Sequence, residues 1–467
     1  MSCDPIPMTA PPDVYQRRRE QLGKALHRPI VLFAGEPRAR NYATNTYPFR
    51  AGSSYLYFGG PAVSGAAWLI EPGGNGRAGC SLVRPVAGVE EAVWIGESAS
   101  DDRLAAAAGL DVGSLISPDG LEARVSGRST AYVAPPCIPT MQWAVSLGLD
   151  TAADEELLAI IELRLVKDAH ELAAMRAAAG ISVGAHLAAM RATAPGRTEA
   201  DVAAAFEAVL VANRCKPSFT ANVTLRGEVL HNDAYERTIE PGKLLLIDAG
   251  AEEPGGYACD ITRTYPSTGE FTPIQRQLYD TVLRAERAGI AACVPGARFR
   301  DVHDMAARVI CEGLVEAELL RGDPAELAAR GAHTLSFTHG LGHLIGLDVH
   351  DMEDFGDLAG YARGRTRRTE FGHKFLRLDR DLAPGMTLTV EPGVYFVPAI
   401  WEQDSLTGAF SDVVNRAAVD RLLEGAFGGI RIEDTICVQD GEAGPEVLTS
   451  DLPSDADVVA AIVKEGA

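Results

Sequence analysis

The sequence predicts a mixed α/β (α+β) fold in two domains, residues 1–153 and 154–467. Two observations support this prediction. In the first third of the chain, short apolar or alternating runs are punctuated by glycine and proline, as expected of strands. After about residue 151 the chain becomes rich in alanine, leucine, glutamate and arginine, which is typical of long helices. A chain of 467 residues can bury a sizeable core without a disulfide or a metal to hold it together.

The N-terminal domain is predicted to combine short strands with a few helices. Asp101–Leu110 is alanine-rich and predicts a helix. Gly74–Gly79 matches the glycine spacing of dinucleotide-binding loops, but a predicted strand follows it where that motif requires a helix. We therefore interpret this segment as a hairpin turn, because no helix N-terminus would face a pyrophosphate. The strands are expected at Ile30–Ala34, Ser54–Phe58, Ala66–Ile70, Cys80–Val83, Ala92–Ile95 and Tyr132–Ala134.

The C-terminal domain begins with helices and contains an internal echo. Residues 154 to about 192 have the apolar spacing of one or two helices, and Thr198 with Asp201 predicts the N-cap of the next helix. Pro195-Gly196 precedes an Asp-Val pair and an alanine-rich helix, and Pro295-Gly296 precedes the same pair at the same offset. This recurrence is either chance, because helix-start signals are common, or the trace of a duplicated half-domain.

Four apolar strands of this domain are each ended or interrupted by an acidic residue. Burying a bare carboxylate costs several kcal/mol, so each acid must be exposed, paired or bound to a metal. For any single acid, a surface position is the commoner outcome. Together, however, four carboxylates carry four negative charges, which two divalent cations would neutralise. The strands and their acids are Leu244–Ile247 with Asp248, Tyr257–Tyr265 with Asp260, Leu388–Val390 with Glu391 and Ile430–Val438 with Glu433.

Four of the ten histidines accompany these acids: His231, His339, His343 and His350. Two glycines lie between His339 and His343, which argues against a helical metal pair and predicts a loop or strand with close backbone approach. An oxygen-rich ligand set with one imidazole favours a hard ion such as Mn²⁺, and two metals about 3.5–4 Å apart would form a hydrolytic site. The other histidines are interpreted as surface or structural residues: His27, His170, His186, His303, His333 and His373.

Charge and composition exclude several classes of function. Lysine and arginine number 43 against 64 acidic residues, and the resulting net charge of −21 disfavours a nucleic-acid partner. The short basic cluster at residues 363–368 is interpreted as a solvated loop. No apolar run approaches the ~18 residues that span a bilayer, and residues 1–12 lack the pattern of a secretory signal. Eight cysteines without a CxxC pair suit a reducing compartment. We therefore expect a cytoplasmic protein that has no membrane partner.

Six short motifs, in order along the chain, resemble the signature of the pita-bread metallopeptidases and, among them, the aminopeptidase P and prolidase branch. The motifs are Leu246–Gly250, Asp260–Thr264, His339–His343, Leu347–Asp351, Thr389–Gly393 and Ile430–Asp434. The resemblance covers about residues 160–450 and extends weakly into the N-terminal domain through Tyr47–Arg50 and Tyr55–Gly59. It implies a C-terminal domain of two pseudo-symmetric halves, which is consistent with the internal echo.

The resemblance also implies a metal centre with two divalent ions. The five residues that align with its ligands are Asp248, Asp260, His343, Glu391 and Glu433. Among these, Asp260 and Glu433 align with the pair that bridges the two ions. The interval from Asp248 to Asp260 is one residue longer than is usual in the family, and we interpret this as an enlarged turn.

Residues around the expected metals are assigned by the same resemblance. His231, His339 and His350 align with histidines that contact the substrate or support the ligands. We expect Glu391 to relay a proton, and His350 and His231 to stabilise the tetrahedral intermediate. Asp351 is expected to orient the ring of its neighbour His350.

Two further details concern the surroundings of these residues. Arg431 is expected to orient a carboxylate ligand or to contact the substrate. Asn232 follows His231, where the family commonly has an aromatic residue.

The implied activity is hydrolysis of the bond between a first residue and a following proline, as in an Xaa-Pro aminopeptidase acting on peptides. The alternative is an Xaa-Pro dipeptidase, with or without promiscuous organophosphate hydrolysis. Rivals of other kinds are a non-catalytic pita-bread binding protein and a metal-free hydrolase of the creatinase type. The complete set of five ligand types argues against both rivals.

Arg377 and Trp94 bear on substrate length and assembly. Arg377 lies where prolidases carry an arginine that binds the free carboxylate of a dipeptide, although it is equally suited to a surface pair with Asp379 or Asp381. Trp94 matches a tryptophan that in some aminopeptidases P reaches a neighbouring subunit, and the alternative is a core tryptophan on a strand. We therefore expect a homo-oligomer, a dimer or a tetramer.

Overall fold

The computed structural model describes residues 6–73, 79–85, 88–96, 98–441 and 443–466. The chain forms two compact units, Met1–Leu165 and Val166–Ala467. The domain boundary predicted after residue 153 lies at the start of the helix Asp154–Leu165, and this helix belongs to the first compact unit. The predicted domain boundary stays a prediction. The turn predicted at Gly74–Gly79 has residues 74–78 outside the described part of the chain.

The N-terminal unit is built on a six-stranded mixed sheet in the order β4-β3-β2-β1-β5-β6. Its strands are β1 Ile30–Phe33, β2 Ala67–Ile70, β3 Cys80–Val83, β4 Leu115–Ile116, β5 Ala131–Val133 and β6 Asp150–Thr151. Its helices are α1 Pro12–Ala25, α2 Ser53–Tyr57, α3 Val89–Ile95, α4 Asp101–Ala108, α5 Pro118–Val125, α6 Ile138–Ser146 and α7 Asp154–Leu165. A 3-10 turn is formed by Val112–Ser114. The core lies where Val31, Phe33, Leu69 and Leu121 pack together.

Two strands predicted in this unit are wrong, because both segments are short helices. In α2 the amide of Leu56 donates to the carbonyl of Gly52 at 3.0 Å, which closes a helical turn. Helix α3 begins after Gly88 and ends at Gly96, whose φ of 86° favours glycine. Trp94 lies on α3 with 81% of its surface exposed, so the core-tryptophan alternative is also wrong. Short apolar runs have no periodicity long enough to separate strand from helix.

The C-terminal unit contains ten helices and ten strands in its described residues. The helices are α8 Ala169–Ala192, α9 Glu199–Ala212, α10 Pro273–Ala292, α11 Phe299–Glu316, α12 Pro324–Arg330, α13 Asp357–Gly360, α14 Pro398–Trp401, α15 Asp404–Thr407, α16 Arg416–Glu424 and α17 Ala456–Gly466. The strands are β7 Lys216–Pro217, β8 Asn222–Thr224, β9 Leu244–Ala249, β10 Ala251–Glu252, β11 Ile261–Pro266, β12 Thr387–Val390, β13 Gly393–Tyr395, β14 Gly429–Arg431, β15 Asp434–Cys437 and β16 Glu446–Val447. The 3-10 turns are Ala332–Leu335, Glu353–Phe355, His373–Phe375 and Gly408–Phe410.

The internal echo is a structural duplication. Gly196 donates to the carbonyl of Ile239 at 2.9 Å, and Gly296 donates to that of Leu382 at 2.8 Å. In return, the amide of Ile239 donates to the carbonyl of Arg197 at 2.7 Å, and the amide of Leu382 donates to the carbonyl of Ala297 at 2.8 Å. Nine residues beyond these two positions lie Asp248 and Glu391, so each half contributes an equivalent acid. The predicted fold class, with two pseudo-symmetric halves, is confirmed.

The antiparallel sheets β11-β9-β8 and β12-β15-β16 belong one to each half. Helix α8 packs on the first half, and its start is closed by a capping box between Asp168 and Glu171. By length and composition α8 is the one helix among the described residues that could cross a membrane. It buries ten residues within the unit, including Met175, Ala179 and Met190, as a core helix does.

Candidate metal centre

One cavity of about 890 Å³ in the C-terminal unit brings together every site residue predicted in that unit. Apolar side chains, among them Phe371, Phe375 and Ile400, form part of its wall. The predicted residues that line it are His231, Asp248, Asp260, His339, His343, His350, Arg377, Glu391, Arg431 and Glu433. Side chains spread over 200 residues of sequence therefore share one solvent-accessible space.

The acids are held by strands of both halves. Asp248 lies on β9, directly opposite Thr262 of the antiparallel strand β11. Glu433 lies between β14 and β15, which belong to different sheets, and it forms a bridge with Thr262. The single strand predicted at Ile430–Val438 is therefore wrong, since the chain changes sheets at Glu433. The hydroxyl of Thr262 donates to Glu433 Oε2 at 2.7 Å and fixes that carboxylate.

His343 is positioned by close backbone contact. A side chain at Gly342 would place its Cβ 1.9 Å from the carbonyl oxygen of Thr389, so only glycine fits there. The predicted close approach of this segment is confirmed. His343 Nδ1 donates to the carbonyl of Leu344 at 3.0 Å, which leaves Nε2 as the acceptor nitrogen. This Nε2 lies 3.5 Å from Asp260 Oδ2 and 3.7 Å from Glu391 Oε1.

The buried acids repel one another. Burial and the nearby Asp248 raise the pKa of Asp260 well above its usual value, and burial and Asp260 do the same for Glu433. Burial raises the pKa of Glu391 to about 7. Asp260 Oδ1 and Glu433 Oε1 are buried and have no hydrogen-bond partner among the described residues. Such oxygens need a cation, because an unpaired buried carboxylate is strongly unfavourable.

The residues present fit divalent metal ions. Donor atoms of Asp260, His343 and Glu433 all lie within 4.8 Å of one another. Asp248 and Glu391 add their carboxylates at the wall of the same cavity. Four carboxylates with one imidazole form a hard, oxygen-rich donor set.

Arg431 and Tyr395 hold residues of the cavity by hydrogen bonds. Arg431 is 4% exposed, and its Nη2 donates to Asp248 Oδ2 while its Nε donates to Thr262 Oγ1 at 3.0 Å. Its Nη1 donates to the hydroxyl of Tyr395 at 3.0 Å, and that hydroxyl lies 2.8 Å from His339 Nε2. Burial lowers the pKa of His339 to about 3, so its ring is neutral. Its Nδ1 donates to the carbonyl of Gly340 at 2.8 Å, and its Nε2 therefore accepts a hydrogen bond from the Tyr395 hydroxyl. The sequence contained no spacing signal for Tyr395.

Glu353 is a second supporting residue without a signal in the sequence. Its Oε2 lies 3.3 Å from His350 Nδ1, and Arg377 Nη1 donates to the same oxygen. Although burial raises the pKa of Glu353, His350 and Arg377 bring it down to about 2. The expectation that Asp351 orients His350 is wrong, because Asp351 pairs with the buried Lys167 at 2.9 Å.

Arg377 faces the cavity and pairs with Glu353. The alternative that it pairs with Asp379 or Asp381 is wrong. Instead, Asp379 forms a salt bridge with Arg298, whose Nε lies 2.7 Å from Oδ1. Asp381 forms one with Arg365, whose Nη2 lies 2.7 Å from Oδ1. Arg377 is therefore placed where it can meet a substrate carboxylate.

His231 lies on the exposed edge of the cavity. The backbone amide of Asn232 donates to Asn222 Oδ1 at 2.5 Å, and Asn222 Nδ2 donates to Asp248 Oδ2 at 3.1 Å. Asn232, which stands where the family commonly has an aromatic residue, thus connects the segment around His231 to Asp248 through Asn222. Asn222 is a third supporting residue without a signal in the sequence.

Comparison with known proteins follows the same division of the chain. Residues 173–440 match the model of metallopeptidase family M24. Residues 15–124 match the model of the aminopeptidase P N-terminal domain. The two matches lie in the C-terminal and N-terminal units, respectively.

Individual relatives are similar over different shares of their length. A probable Xaa-Pro aminopeptidase of Uncinocarpus reesii is 36% identical over 325 residues, which are 68% of this chain and 65% of that protein, just under two thirds. Xaa-Pro aminopeptidase 2 of Streptomyces coelicolor is 34% identical over 92% of this chain and 86% of its own length. The solved structure of aminopeptidase P from E. coli with the inhibitor Pro-Leu is 28% identical, with a TM-score of 0.81 over 98% of this chain and 99% of that one.

Proposed function

Since the chain belongs to metallopeptidase family M24, it is a hydrolase, and we propose that it removes the first residue of peptides whose second residue is proline. The observation that carries the proposal is the cavity in which four acids and His343 converge, with one oxygen of Asp260 and one of Glu433 left without a partner among the residues that the structure describes. The relatives named Xaa-Pro aminopeptidase support the proline specificity.

Membership of the family implies divalent metal ions, and the finer assignment is our proposal. Two ions would be held by Asp248, Asp260, His343, Glu391 and Glu433. Mn²⁺ is the proposed metal, because carboxylate-rich sites favour hard ions. Two such ions lower the pKa of water and polarise a carbonyl oxygen.

The protein's own residues supply proton transfer and orientation. Glu391 lines the cavity, and its Oε1 lies 3.7 Å from His343 Nε2, so its carboxylate is placed to accept a proton and pass it to the nitrogen of the leaving proline. His350 and His231 face the same space and would hydrogen-bond the substrate carbonyl. The neutral His339 is held by Tyr395 and keeps a fixed orientation.

Arg377 favours a second candidate, an Xaa-Pro dipeptidase. Its side chain is 40% exposed at the cavity, where it can bind the carboxylate of a dipeptide. Its pairing with Glu353 reduces the charge that remains for a substrate, so we propose that longer peptides are preferred. The organophosphate and non-catalytic alternatives have no observation in their favour.

The test compares kcat/KM for Xaa-Pro and Xaa-Pro-Yaa-Zaa in the wild type and in Arg377→Ala. We expect the wild type to cleave the longer peptide at least as well as the dipeptide. The variant should lose about tenfold on the dipeptide alone, since a charged hydrogen bond contributes about 1.5–3 kcal/mol. A wild type that cleaves only the dipeptide, with that activity lost in Arg377→Ala, would establish the dipeptidase instead.

Trp94 supports a homo-oligomer, a dimer or a tetramer. Val89, Val93 and Trp94 on α3 are 87%, 76% and 81% exposed, and such an apolar surface is typical of a contact between proteins. We expect Trp94→Ala to yield a smaller species than the wild type in light scattering. Val112→Ala, at a 44% exposed valine of the same unit, is the control and should not change the mass. A wild type that is monomeric at working concentration contradicts this proposal.

We also propose that the protein acts in the cytoplasm, without nucleic-acid or membrane partners. No disulfide joins the cysteines of the described residues, which suits a reducing compartment. The net charge of −21 opposes binding to nucleic acid and to anionic lipid. Fractionation of cells tests the location, and recovery in a secreted fraction would contradict it.

A further inference from the structure

Three histidines that are far apart in the sequence meet outside the catalytic centre. His303 lies on α11, His333 in the turn Ala332–Leu335 and His373 in the turn His373–Phe375. Their ring centroids are 6.1 Å apart for His303 and His333, 5.2 Å for His333 and His373, and 6.4 Å for His303 and His373. The sequence predicted surface or structural residues at these positions, and it gave no sign that the fold brings the three rings together.

The rings of His303 and His333 are each 2% exposed. None of their four ring nitrogens has a hydrogen-bond partner within the described ranges. Burial lowers the pKa of His303 to about 3 and that of His333 well below its usual value, so both rings are neutral at pH 7. A neutral imidazole has one nitrogen lone pair free to bind a metal. Burying polar atoms without a partner costs free energy, so a ligand that binds these ring nitrogens would remove that cost.

We propose that His303, His333 and His373 form a binding site for a borderline transition-metal ion, Zn²⁺ in the first instance. One ring nitrogen from each lies within 4.8 Å of the others. Imidazole ligands suit zinc, whereas the carboxylates of the catalytic centre suit harder ions, so the two sites differ in chemistry. His333 and His373 also line a separate cavity of about 820 Å³, which gives the ion a route of entry and room for a fourth ligand.

Binding requires a change at His373. Arg368 Nη1 donates to His373 Nδ1 at 3.1 Å, so the ring proton lies on Nε2. Ligation through Nε2 moves that proton to Nδ1 and breaks the bond from Arg368. Asp304, which accepts from Arg368 Nη2 at 3.1 Å, also acts electrostatically on His373 and would accept a hydrogen bond from the proton on Nδ1. A carboxylate behind a metal-bound imidazole is the usual arrangement.

The site would act on one wall of the catalytic cavity. His373 lies between Phe371 and Phe375, and both phenylalanines line that cavity. A metal that joins His373 to His303 on α11 would hold the side chains of Phe371 and Phe375 in place. The proposal itself concerns metal binding and does not depend on the peptidase activity.

The test is zinc content per chain after equilibrium dialysis of the full-length protein. We expect His303→Phe and His373→Asn each to bind one zinc ion fewer than the wild type. His170→Ala, at an exposed histidine of the same unit, should bind as many as the wild type. Equal zinc content in the wild type and His303→Phe would overturn the proposal. Should His303→Phe fail to fold, His373→Asn decides in the same way, since His373 is only half-buried.

Thermal unfolding gives a second measurement. Zn²⁺ should raise the midpoint of the wild type by several degrees more than that of His373→Asn, because an ion that binds only the folded state stabilises it. Arg368→Met should bind zinc more tightly than the wild type, since it removes the competing guanidinium. Identical zinc-induced shifts in the wild type and His373→Asn would show that the three histidines do not bind the ion.

Discussion

Asp260→Ala is expected to lower kcat/KM by about 10³-fold or more and to reduce the bound divalent metal. Asp260 Oδ2 lies 3.5 Å from His343 Nε2, and Oδ1 has no protein partner in the described chain, so both oxygens of this carboxylate would be available to hold metal ions. A loss of about 4 kcal/mol of transition-state stabilisation corresponds to this factor. The measurements are steady-state kinetics on a proline-containing peptide and metal analysis of the same sample. Glu207→Ala, at an exposed acid of α9, is the matched control and should keep both activity and metal.

Stability separates this explanation from simple misfolding. In the metal-free wild type the carboxylates of Asp260, Glu433 and Asp248 repel one another. Burial, together with this repulsion, raises the pKa values of Asp260 and Glu433. Removing Asp260 relieves that repulsion, so the metal-free variant should unfold at a temperature no lower than the metal-free wild type. A chelator should lower the midpoint of the loaded wild type by more than that of Asp260→Ala, because the variant holds less metal. Full activity in a chelated, metal-free wild type would contradict the metal centre altogether.

The acids and histidines of the centre were predictable because each occupies a chemically unfavourable place in the sequence. Asp248 and Glu391 interrupt or end apolar strands, and the two glycines beside His343 admit no ordinary helix. The supporting residues carry no such anomaly. Tyr395 is an aromatic residue in a strand, where burial alone explains it, and Asn222 is a polar residue at a strand start. Their roles come from contacts with Arg431 and Asp248 on neighbouring strands that are distant in the sequence, and only the folded chain defines these contacts.

The errors have a similar physical origin. Segments Ser53–Tyr57 and Val89–Ile95 are too short for periodicity to distinguish helix from strand. The strand expected through Glu433 is broken because its two ends pair with different partners, β13 and β12. Glu353 lies in an irregular insertion, where no repeating pattern indicates which side chain turns towards His350.

His350→Ala is expected to lower kcat by about 10²–10³-fold while both metals remain bound. His350 lines the cavity, and its ring centroid lies 4.2 Å from that of His343, yet its Nδ1 is directed to Glu353 at 3.3 Å. With Nδ1 donating to Glu353, a hydrogen bond to the substrate oxygen needs a second proton on Nε2. The carboxylate of Glu353 stabilises that charged ring, in the manner of a buried acid behind a catalytic histidine. Loss of one donor to a developing oxyanion has an effect of this size.

The matched variant is Glu353→Gln, which keeps the shape of the side chain and removes its charge. Burial already lowers the pKa of His350, and the carboxylate of Glu353 opposes that shift. Without the carboxylate the ring holds its second proton less readily, so kcat should fall at neutral pH and recover partly at lower pH. The same recovery is absent from His350→Ala, which has no ring to protonate. Metal analysis completes the test: if His350→Ala loses an ion, His350 is itself a metal ligand, and a role in stabilising the transition state is wrong.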